Sequence, residues 1–236
     1  AESMYEYGSR AGFWRLARLF RERGLPLTVF ACALALERNP EQARHIRDMG
    51  YDVCCHGHRW IAHYRLGREE EREQIRRAIA SLEQTLGQRP SGWYSRYAPS
   101  VNTRDLVVEE GGFVYDSDSY ADDLPYWVKV RERPHLVVPY SLVTNDAKLV
   151  NAVTDSDTFF RQLRDAFDVL WAEGGDRPKM MNVGMHGRIL GHPARTAGIM
   201  RFLDHVQSRE HVWIAKRVEI AQHWIRRFPM VAQQAA

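Results

Sequence analysis

The chain of 236 residues has few cysteines, and their positions exclude a disulfide framework. Only three are present: Cys32, and the neighbours Cys54 and Cys55, whose side chains point to opposite faces of a strand. Small secreted domains built on disulfides are therefore excluded, and a reducing, cytoplasmic setting is expected. Because free cysteine is among the most buried residue types, we expect Cys54 and Cys55 to pack in the core rather than to act as nucleophiles.

The chain also lacks a long apolar run, a signal segment and an excess of one charge. No apolar stretch reaches the ~20 residues that a membrane-spanning helix requires, and no basic-then-apolar segment opens the sequence. The 33 basic residues are nearly balanced by 30 acidic ones, which gives a net charge of +3. Neither nucleic acid nor a membrane is therefore an expected partner.

Helical and strand patterns alternate along the chain, without a linker or an internal repeat. The predicted helices span residues 9–24, 39–50, 68–87, 102–112, 155–175, 193–208 and 217–228. The predicted strands span residues 27–31, 51–55, 92–95, 113–116, 135–140, 180–186 and 212–215. This alternation is typical of right-handed βαβ units and a mostly parallel sheet. Six or seven such units favour a single α/β domain over residues 1–236, closed as a barrel. A βα barrel begins with a strand, so we expect the first strand to lie before Ala1.

Titratable residues follow several of the predicted strands, where α/β folds gather their functional groups. These residues are His56, His58 and His63 after the second strand, Arg96 after the third, Asp116, Asp118 and Asp123 at and after the fourth, and His186 and Arg188 after the sixth. They are the types needed for proton transfer, and they predict an active site at this edge of the sheet. His58 and His63 are expected to be loop residues rather than catalytic ones.

Aromatic residues accompany these charged groups. Arg96 stands beside Tyr94, which suits a polar substrate, although the arginine could also serve to tie loops together. Residues 117–133 are predicted to be irregular, acidic and aromatic. They fit either a solvated loop or, through Tyr120 and Tyr126, the wall of a binding pocket.

The three histidines after the second strand give a weak signal for a metal. A spacing of two places His56 and His58 on one face of a strand, whereas ligand pairs on a helix are three or four apart. The residue four positions after His56 is Trp60, which cannot coordinate a metal. We expect no metal and no other cofactor; if zinc or another divalent ion does bind, His56 is the candidate ligand.

Four segments, EYGSRAGFWRL, CHGHRW, GWYSRYAPSVNTRDLVVEEGGFVYDSDSYADDLPYW and MHGRILGHPAR, together resemble the polysaccharide deacetylase (NodB-homology) superfamily. More narrowly, they resemble its metal-independent allantoinase branch. The resemblance extends over almost the whole chain. It implies a distorted (β/α) barrel of about seven strands that hydrolyses amide-type C–N bonds, and it implies a homotetramer.

The resemblance also implies roles for individual residues. His56 matches the first of two histidines that the superfamily uses as metal ligands, and Trp60 replaces the second, as in the allantoinase branch. Arg96 matches an arginine that orients the catalytic acid, and His186 matches the general acid, so His186, His56 and Arg96 are the expected catalytic residues. The expected substrate-binding residues are Glu6, Arg10, Trp60, Tyr94, Asp116, Asp118, Asp123 and Arg188. The acidic pair that supplies the general base is expected upstream of Ala1.

Three functions remain open at this point. The first is ring opening of a small cyclic amide, either allantoin to allantoate or a related cyclic imide. The second is metal-dependent N-deacetylation of a polysaccharide or chitooligosaccharide. The third belongs to another class: an inactive barrel that serves as a binding or assembly module.

Overall fold

A mostly parallel sheet of six strands is the framework of the protein in its computed structural model, which describes residues 2–96, 98–149 and 155–230. The strands are β1 (Thr28–Ala31), β2 (Asp52–Cys55), β3 (Gly92–Trp93), β4 (Tyr115–Asp116), β5 (Tyr126–Val130) and β6 (Arg133–Val137). Their order is β1-β2-β3-β4-β6-β5, and only the β5–β6 pair is antiparallel. The predicted α/β fold is confirmed; closure into a barrel of about seven strands stays a prediction.

The chain divides into two compact units, each made of two segments. The sheet unit comprises residues 27–139 and 215–236 and contains all six of these strands. The helical unit comprises residues 1–26 and 140–214. The prediction of one domain over residues 1–236 is not decided by this division.

The sheet unit carries the helices α3 (Ala33–Glu37), α4 (Pro40–Asp48), α5 (Arg68–Leu86), α6 (Thr103–Glu110) and α10 (Arg217–Arg227). The predicted start of α4 is confirmed, because the Asn39 side chain accepts a hydrogen bond from the Gln42 amide and Pro40 takes the first helical position. Helix α5 ends just before Gly87, whose φ of 73° lies in the left-handed region that glycine adopts at little cost. The largest fully buried side chains of this unit are Trp93, Tyr115, Ile46, Ile75, Leu82, Leu86, Leu106 and Leu136.

The helical unit carries α1 (Glu2–Tyr7), a π-helical segment (Gly8–Gly12), α2 (Phe13–Glu22), α7 (Asp146–Leu149), α8 (Ser156–Glu173) and α9 (Pro193–Gln207). Helices α8 and α9 pack against each other, and Phe159, Leu163, Leu190 and Ile199 are fully buried in this unit. The expected helix start at Ser9 is wrong, because the chain is already helical from Glu2. None of the helices in the described ranges has both the length and the apolar character needed to cross a bilayer.

Two of the predicted strands are wrong. Residues 180–186 form no strand, and Gly184 makes only a single parallel bridge with Asn145. Hydrogen bonds that involve side chains hold this segment: the Ser141 amide donates to the Asn182 side chain, and Thr144 Oγ1 donates to the Asn182 carbonyl oxygen. Residues 212–215 are not a strand either. Both apolar runs have the length of a buried strand, but that length alone does not specify pairing.

One strand lies where an irregular segment was predicted. Strand β5 falls within residues 117–133 and pairs with β6 in a hairpin. The two residues of its turn, Arg131 and Glu132, have φ values of 48° and 64°. Such turns usually contain Asn or Gly, whose absence here hides the hairpin from a reading of the sequence.

Candidate active site

His56 directly follows β2, and the end of β3 fixes its ring. Its Nδ1 lies 2.6 Å from the carbonyl oxygen of Tyr94, so Nδ1 carries the hydrogen and donates it. The two rings are stacked, with centroids 5.3 Å apart and planes at 6°. The Phe30 ring meets His56 edge-on at 6.4 Å. Neighbouring strands thus set both the tautomer and the orientation of His56.

Trp60 and Arg96 are in direct contact. The Arg96 Cζ lies 3.8 Å from the centroid of the Trp60 ring, and Arg96 Nη1 donates to the Trp60 carbonyl oxygen over 2.8 Å. A cation–π contact of this kind contributes about 0.5–2 kcal/mol. The pair borders an open depression of about 770 Å³, whose wall also includes Tyr64, Arg65 and Glu70. An aromatic face beside guanidinium groups suits a small, planar, polar ligand.

The side chains around His56 do not fit a metal held by a histidine pair. The indole of Trp60 stands at the position of the second histidine and has no lone pair to give. The described residues contain no group of three or more His, Cys, Asp or Glu side chains that could hold a metal ion.

His58 and His63 are buried rather than presented to solvent, and both are 1% exposed. The His58 Nε2 lies 3.4 Å from a carboxylate oxygen of Glu37, and burial lowers the pKa of His58. The His63 Nδ1 lies 3.2 Å from Oε1 of Glu71. Both histidines thus hold their segment in place, and their expected absence from catalysis stays a prediction.

Asp116, the last residue of β4, is 1% exposed and lies among hydrogen-bond donors. Arg104 Nε donates to Oδ2 over 2.7 Å, His135 Nε2 lies 2.8 Å from the same oxygen, and the Asp118 amide donates to Oδ1 over 2.9 Å. Burial raises the pKa of Asp116, but the hydrogen bonds from His135 and Arg104 outweigh burial and lower the pKa overall. Expected to bind substrate, Asp116 instead lies in the interior and holds the segment that follows β4.

Asp118 is tied to the end of β3. It accepts hydrogen bonds from the amide and the hydroxyl of Ser95 over 2.8 and 2.7 Å. Shielding from solvent and repulsion by Asp116 raise the pKa of Asp118 to about 7. This carboxyl group therefore changes its charge near neutral pH, which suits a proton-handling or ligand-sensing site.

The other predicted residues of this segment differ in exposure. Tyr94 Oη lies 2.9 Å from Tyr120 Oη, so a hydroxyl pair links the end of β3 with the segment after β4. Asp123 is exposed. The structure thus pairs His56 with Tyr94 and Trp60 with Arg96 and leaves Asp123 on the surface.

His186 belongs to the helical unit and is paired with Asp146. Its Nδ1 lies 2.5 Å from Oδ1 of Asp146, and its amide donates to Oδ2 over 2.8 Å. Asp146 is the first residue of α7, and its own amide donates to the Gly184 carbonyl oxygen over 3.0 Å. The Asp146 side chain is 2% exposed and that of His186 is 27% exposed. A buried carboxylate that orients a half-buried imidazole is the arrangement of a general acid or base.

Glu6, Arg10 and Arg188 also lie in the helical unit. Glu6 is on α1 and Arg10 on the π-helical segment, and both are exposed. Such π-helical turns are frequent at functional sites. The Arg188 Cζ lies 5.0 Å from the centroid of the Tyr5 ring, and a methyl group added to Gly8 would meet the Arg188 amide nitrogen at 2.9 Å. The segment with Glu6 and Arg10 is thus packed against the segment that carries Arg188.

Glycines make a second close contact within the helical unit. A methyl group added to Gly12 would lie 1.9 Å from the carbonyl oxygen of Gly187, and one added to Gly191 would lie 2.3 Å from the Gly12 Cα. Beside them the rings of Tyr7 and His192 are stacked with centroids 3.8 Å apart. The backbone of Gly12 therefore lies directly against the backbone of Gly187 and Gly191, two residues of the segment that follows His186.

The two adjacent cysteines are both fully buried. Burial raises the pKa of the Cys55 thiol to about 12 and the pKa of Cys54 well above its ordinary value. Thiolates are therefore scarce at these positions, in agreement with the expectation that they pack in the core.

Reasoning from sequence missed four polar residues that organise these groups. They are Asp146, which orients His186; Arg104 and His135, which hold Asp116; and Glu71, which holds His63. Asp146 offered a readable signal, because it follows the predicted strand 135–140 by six residues. The other three lie within predicted helices or inside a strand, where nothing in the local pattern marks a buried polar role.

The chain belongs to the polysaccharide deacetylase family, which confirms the resemblance of its sequence motifs. The family model described as polysaccharide deacetylase matches residues 2–115. A putative polysaccharide deacetylase of Schizosaccharomyces pombe is 39% identical over 250 residues, which cover 98% of this chain and 78% of that protein. The protein is thus a hydrolase of the deacetylase family.

Two solved structures are similar over nearly the whole chain. A probable polysaccharide deacetylase from Pseudomonas aeruginosa is 50% identical, with a TM-score of 0.93 and coverage of 98% of this chain and 78% of that one. The Puue allantoinase is 47% identical, with a TM-score of 0.93 and coverage of 98% and 77%. Both likenesses support a hydrolase of C–N bonds.

Proposed function

We propose that the protein opens the ring of a cyclic ureide, converting allantoin to allantoate, or of a related cyclic imide. The observation that carries the proposal is the contact between Trp60 and Arg96, at the position where a metal-binding histidine pair would be completed. Trp60 takes the place of a metal-binding histidine. Its indole, stacked on the Arg96 guanidinium, supplies a flat, polar wall for a planar ring. The similarity to the Puue allantoinase supports the same substrate class.

In the proposed reaction water adds to a ring carbonyl, the C–N bond breaks, and the departing nitrogen takes a proton. His186 is the proton donor, because Asp146 holds its Nδ1 and thereby directs Nε2 away from the carboxylate. A carboxylate activates the water in this proposal, and Arg96 orients that carboxylate. Positioned proton donors and acceptors each contribute about 10²–10⁴-fold to the rate.

His56 is catalytic in this proposal through Nε2, which accepts a hydrogen bond because Nδ1 donates to Tyr94, and which therefore holds an N–H of the ring beside the reacting carbonyl. The other predicted residues bind rather than react. Trp60, Tyr94 and Asp118 recognise the face and edge of the ring. The predicted assembly as a homotetramer and the cytoplasmic setting stay predictions.

The test is release of allantoate from allantoin by the complete gene product, after exhaustive treatment with a chelator. Turnover that survives the chelator and falls by about 10²–10⁴-fold in His186→Ala is expected. The matched control is His205→Ala, since His205 also pairs with a carboxylate, that of Asp168, over 2.7 Å. Undiminished turnover by His186→Ala would remove this residue from the mechanism.

The second candidate is metal-dependent N-deacetylation of an amino sugar polymer. It is favoured by the 50% identity to a probable polysaccharide deacetylase and by the presence of His56. Activity that appears only on acetylated sugars and only with added zinc would replace ring opening by this function. Tight binding of ureides without any turnover would instead favour an inactive binding module.

A further inference from the structure

The buried carboxylate of Glu71 joins segments that precede and follow it, and the proposed reaction does not use it. Glu71 lies on α5 and is 0% exposed. Its Oε1 lies 3.2 Å from His63 Nδ1 and accepts a hydrogen bond from Thr103 Oγ1. Its Oε2 accepts a hydrogen bond from Ser100 Oγ over 2.5 Å. One carboxylate thus serves an imidazole and two hydroxyl groups.

These partners belong to the two segments that carry the stacked pair. His63 lies three residues after Trp60, in the single 3-10 turn that leads to α5. Ser100 lies four residues after Arg96, in the segment that leads to α6. Each side of the Trp60–Arg96 contact is therefore anchored, a few residues away, to the same carboxylate.

His63 is itself packed against the residue that follows the predicted catalytic histidine. Its ring meets the Trp93 ring edge-on, with centroids 5.4 Å apart. A methyl group added to Gly57, the residue after His56, would lie 3.2 Å from His63 Nε2. The His63 ring thus fills the space under the segment that begins at His56, and a displaced His63 would disturb that segment directly.

We propose that Glu71 is a positioning residue, which holds the segments of Trp60 and Arg96 at the spacing that their stacked contact requires. This inference rests on the proposed function, in which that contact forms the wall that receives the ring. Burial raises the pKa of Glu71, but hydrogen bonds from His63, Ser100 and Thr103 outweigh burial and lower the pKa overall. The carboxylate is therefore ionised at neutral pH and accepts all three hydrogen bonds at once.

A matched control separates positioning from simple stability. Asp52 is also a buried carboxylate of the sheet unit, 6% exposed. It accepts hydrogen bonds from Thr28 Oγ1 over 3.0 Å and from the Val218 amide over 3.1 Å. Asp52 begins β2, whereas the Trp60 segment follows the end of that strand, so Asp52→Asn perturbs a buried carboxylate without touching either anchored segment.

The first measurement needs no substrate. The Nε–H resonance of Arg96, identified by its loss in Arg96→Lys, is expected to be displaced by the ring current of Trp60 in the ¹H–¹⁵N NMR spectrum of the full chain, because Cζ lies 3.8 Å from the ring centroid. In Glu71→Ala this resonance is expected to move toward the values of exposed arginines, in Glu71→Gln to move less, and in Asp52→Asn to stay. An unmoved resonance in folded Glu71→Ala overturns the proposal. If Glu71→Ala does not fold, Glu71→Gln and His63→Asn are held to the same criterion.

The second measurement uses turnover of allantoin by the complete gene product. Misplacement of the wall by about 1 Å is expected to lower kcat/KM up to about 100-fold in Glu71→Ala. The same substitution is expected to cost far less in the Arg96→Lys background, because the contact that it disturbs is already lost. Equal losses in both backgrounds overturn the proposal. If the Arg96 resonance moves in Glu71→Ala but the natural protein turns over no ureide, the positioning role is retained and the proposed substrate is rejected.

Discussion

Asp146 holds His186 by two atoms at once, one carboxylate oxygen 2.5 Å from Nδ1 and the other 2.8 Å from the backbone amide. The ring therefore cannot turn about its side-chain bonds without losing the first contact. A proton donor needs this fixed direction, since a misaligned Nε2 donates poorly to a departing nitrogen.

The first prediction concerns this pair. Asp146→Asn is expected to lower kcat for allantoin by at least about tenfold, with a smaller effect on KM, because the amide no longer fixes the tautomer of His186. Steady-state kinetics measures both constants. Asp168→Asn, which alters the partner of His205, serves as control and should keep kcat. An unchanged kcat in Asp146→Asn would show that His186 needs no orienting carboxylate.

The second prediction concerns the stacked wall. Trp60→Leu removes the ring that faces Arg96 and is expected to lower kcat/KM, whereas Trp60→Phe keeps an aromatic face and is expected to lose less. The contact between Trp60 and Arg96 that the leucine removes contributes about 0.5–2 kcal/mol to stability. Kinetics on allantoin after chelator treatment compares the two variants. Equal losses in both would mean that the size of the side chain matters and its aromatic face does not.

The third prediction is a pH dependence of stability. The pKa of Asp118 is raised from 3.8 to about 7 in the folded protein, so the folded state holds a proton that the unfolded chain has already released. The contribution of Asp118 to the free energy of unfolding should therefore decrease as the pH rises from about 4 to about 7.

Urea unfolding at pH 5 and pH 8 measures this contribution as a difference between variants. Asp118→Asn stays uncharged and is expected to lose less stability over this interval than the natural protein does. Asp123→Asn alters an exposed carboxylate and should follow the natural protein. Parallel curves for all three proteins would contradict the raised pKa.

The fourth prediction concerns the glycine contact. Alanine in place of a helical glycine usually stabilises a protein by up to about 1 kcal/mol. At Gly12 the sign should reverse, with a loss of about 1–3 kcal/mol, because the added methyl group would overlap the Gly187 carbonyl oxygen. Thermal unfolding measures the change. Gly175→Ala, where an added methyl group meets only the Ala172 carbonyl oxygen at 3.6 Å, should have little effect.

The α/β fold could be predicted because its signals are local. Asn39, Pro40 and Gly87 mark helix ends through their own backbone preferences, and these positions were confirmed. Residues 180–186 show the limit, since an apolar run has the length of a strand whether or not a neighbour pairs with it. The hairpin at Arg131 was not predicted for a related reason: the positive φ values of its turn are imposed by the flanking strands and not by the residue types.

The candidate site could be predicted only in the members that stand at strand ends. His56, Arg96 and His186 stand at the ends of predicted strands, so a search of strand ends finds them. Their partners are set by folding: Asp146 lies 40 residues before His186, and Glu71 occurs in a helix rich in glutamate. Nothing in the sequence distinguishes Glu71 from its exposed neighbours Glu69 and Glu70, because burial of one helix face decides their roles.

The bare backbone contact between Gly12 and Gly191 gives the loop after His186 its stiffness. Side chains at such a junction could yield by rotating, but two main chains in contact have no such freedom. The loop and the first helices of the chain are therefore expected to move together. Any event that loosens the amino-terminal helices, such as a proteolytic cut or a bound antibody, is expected to alter the alignment of His186, the proposed proton donor, more than 170 positions along the sequence.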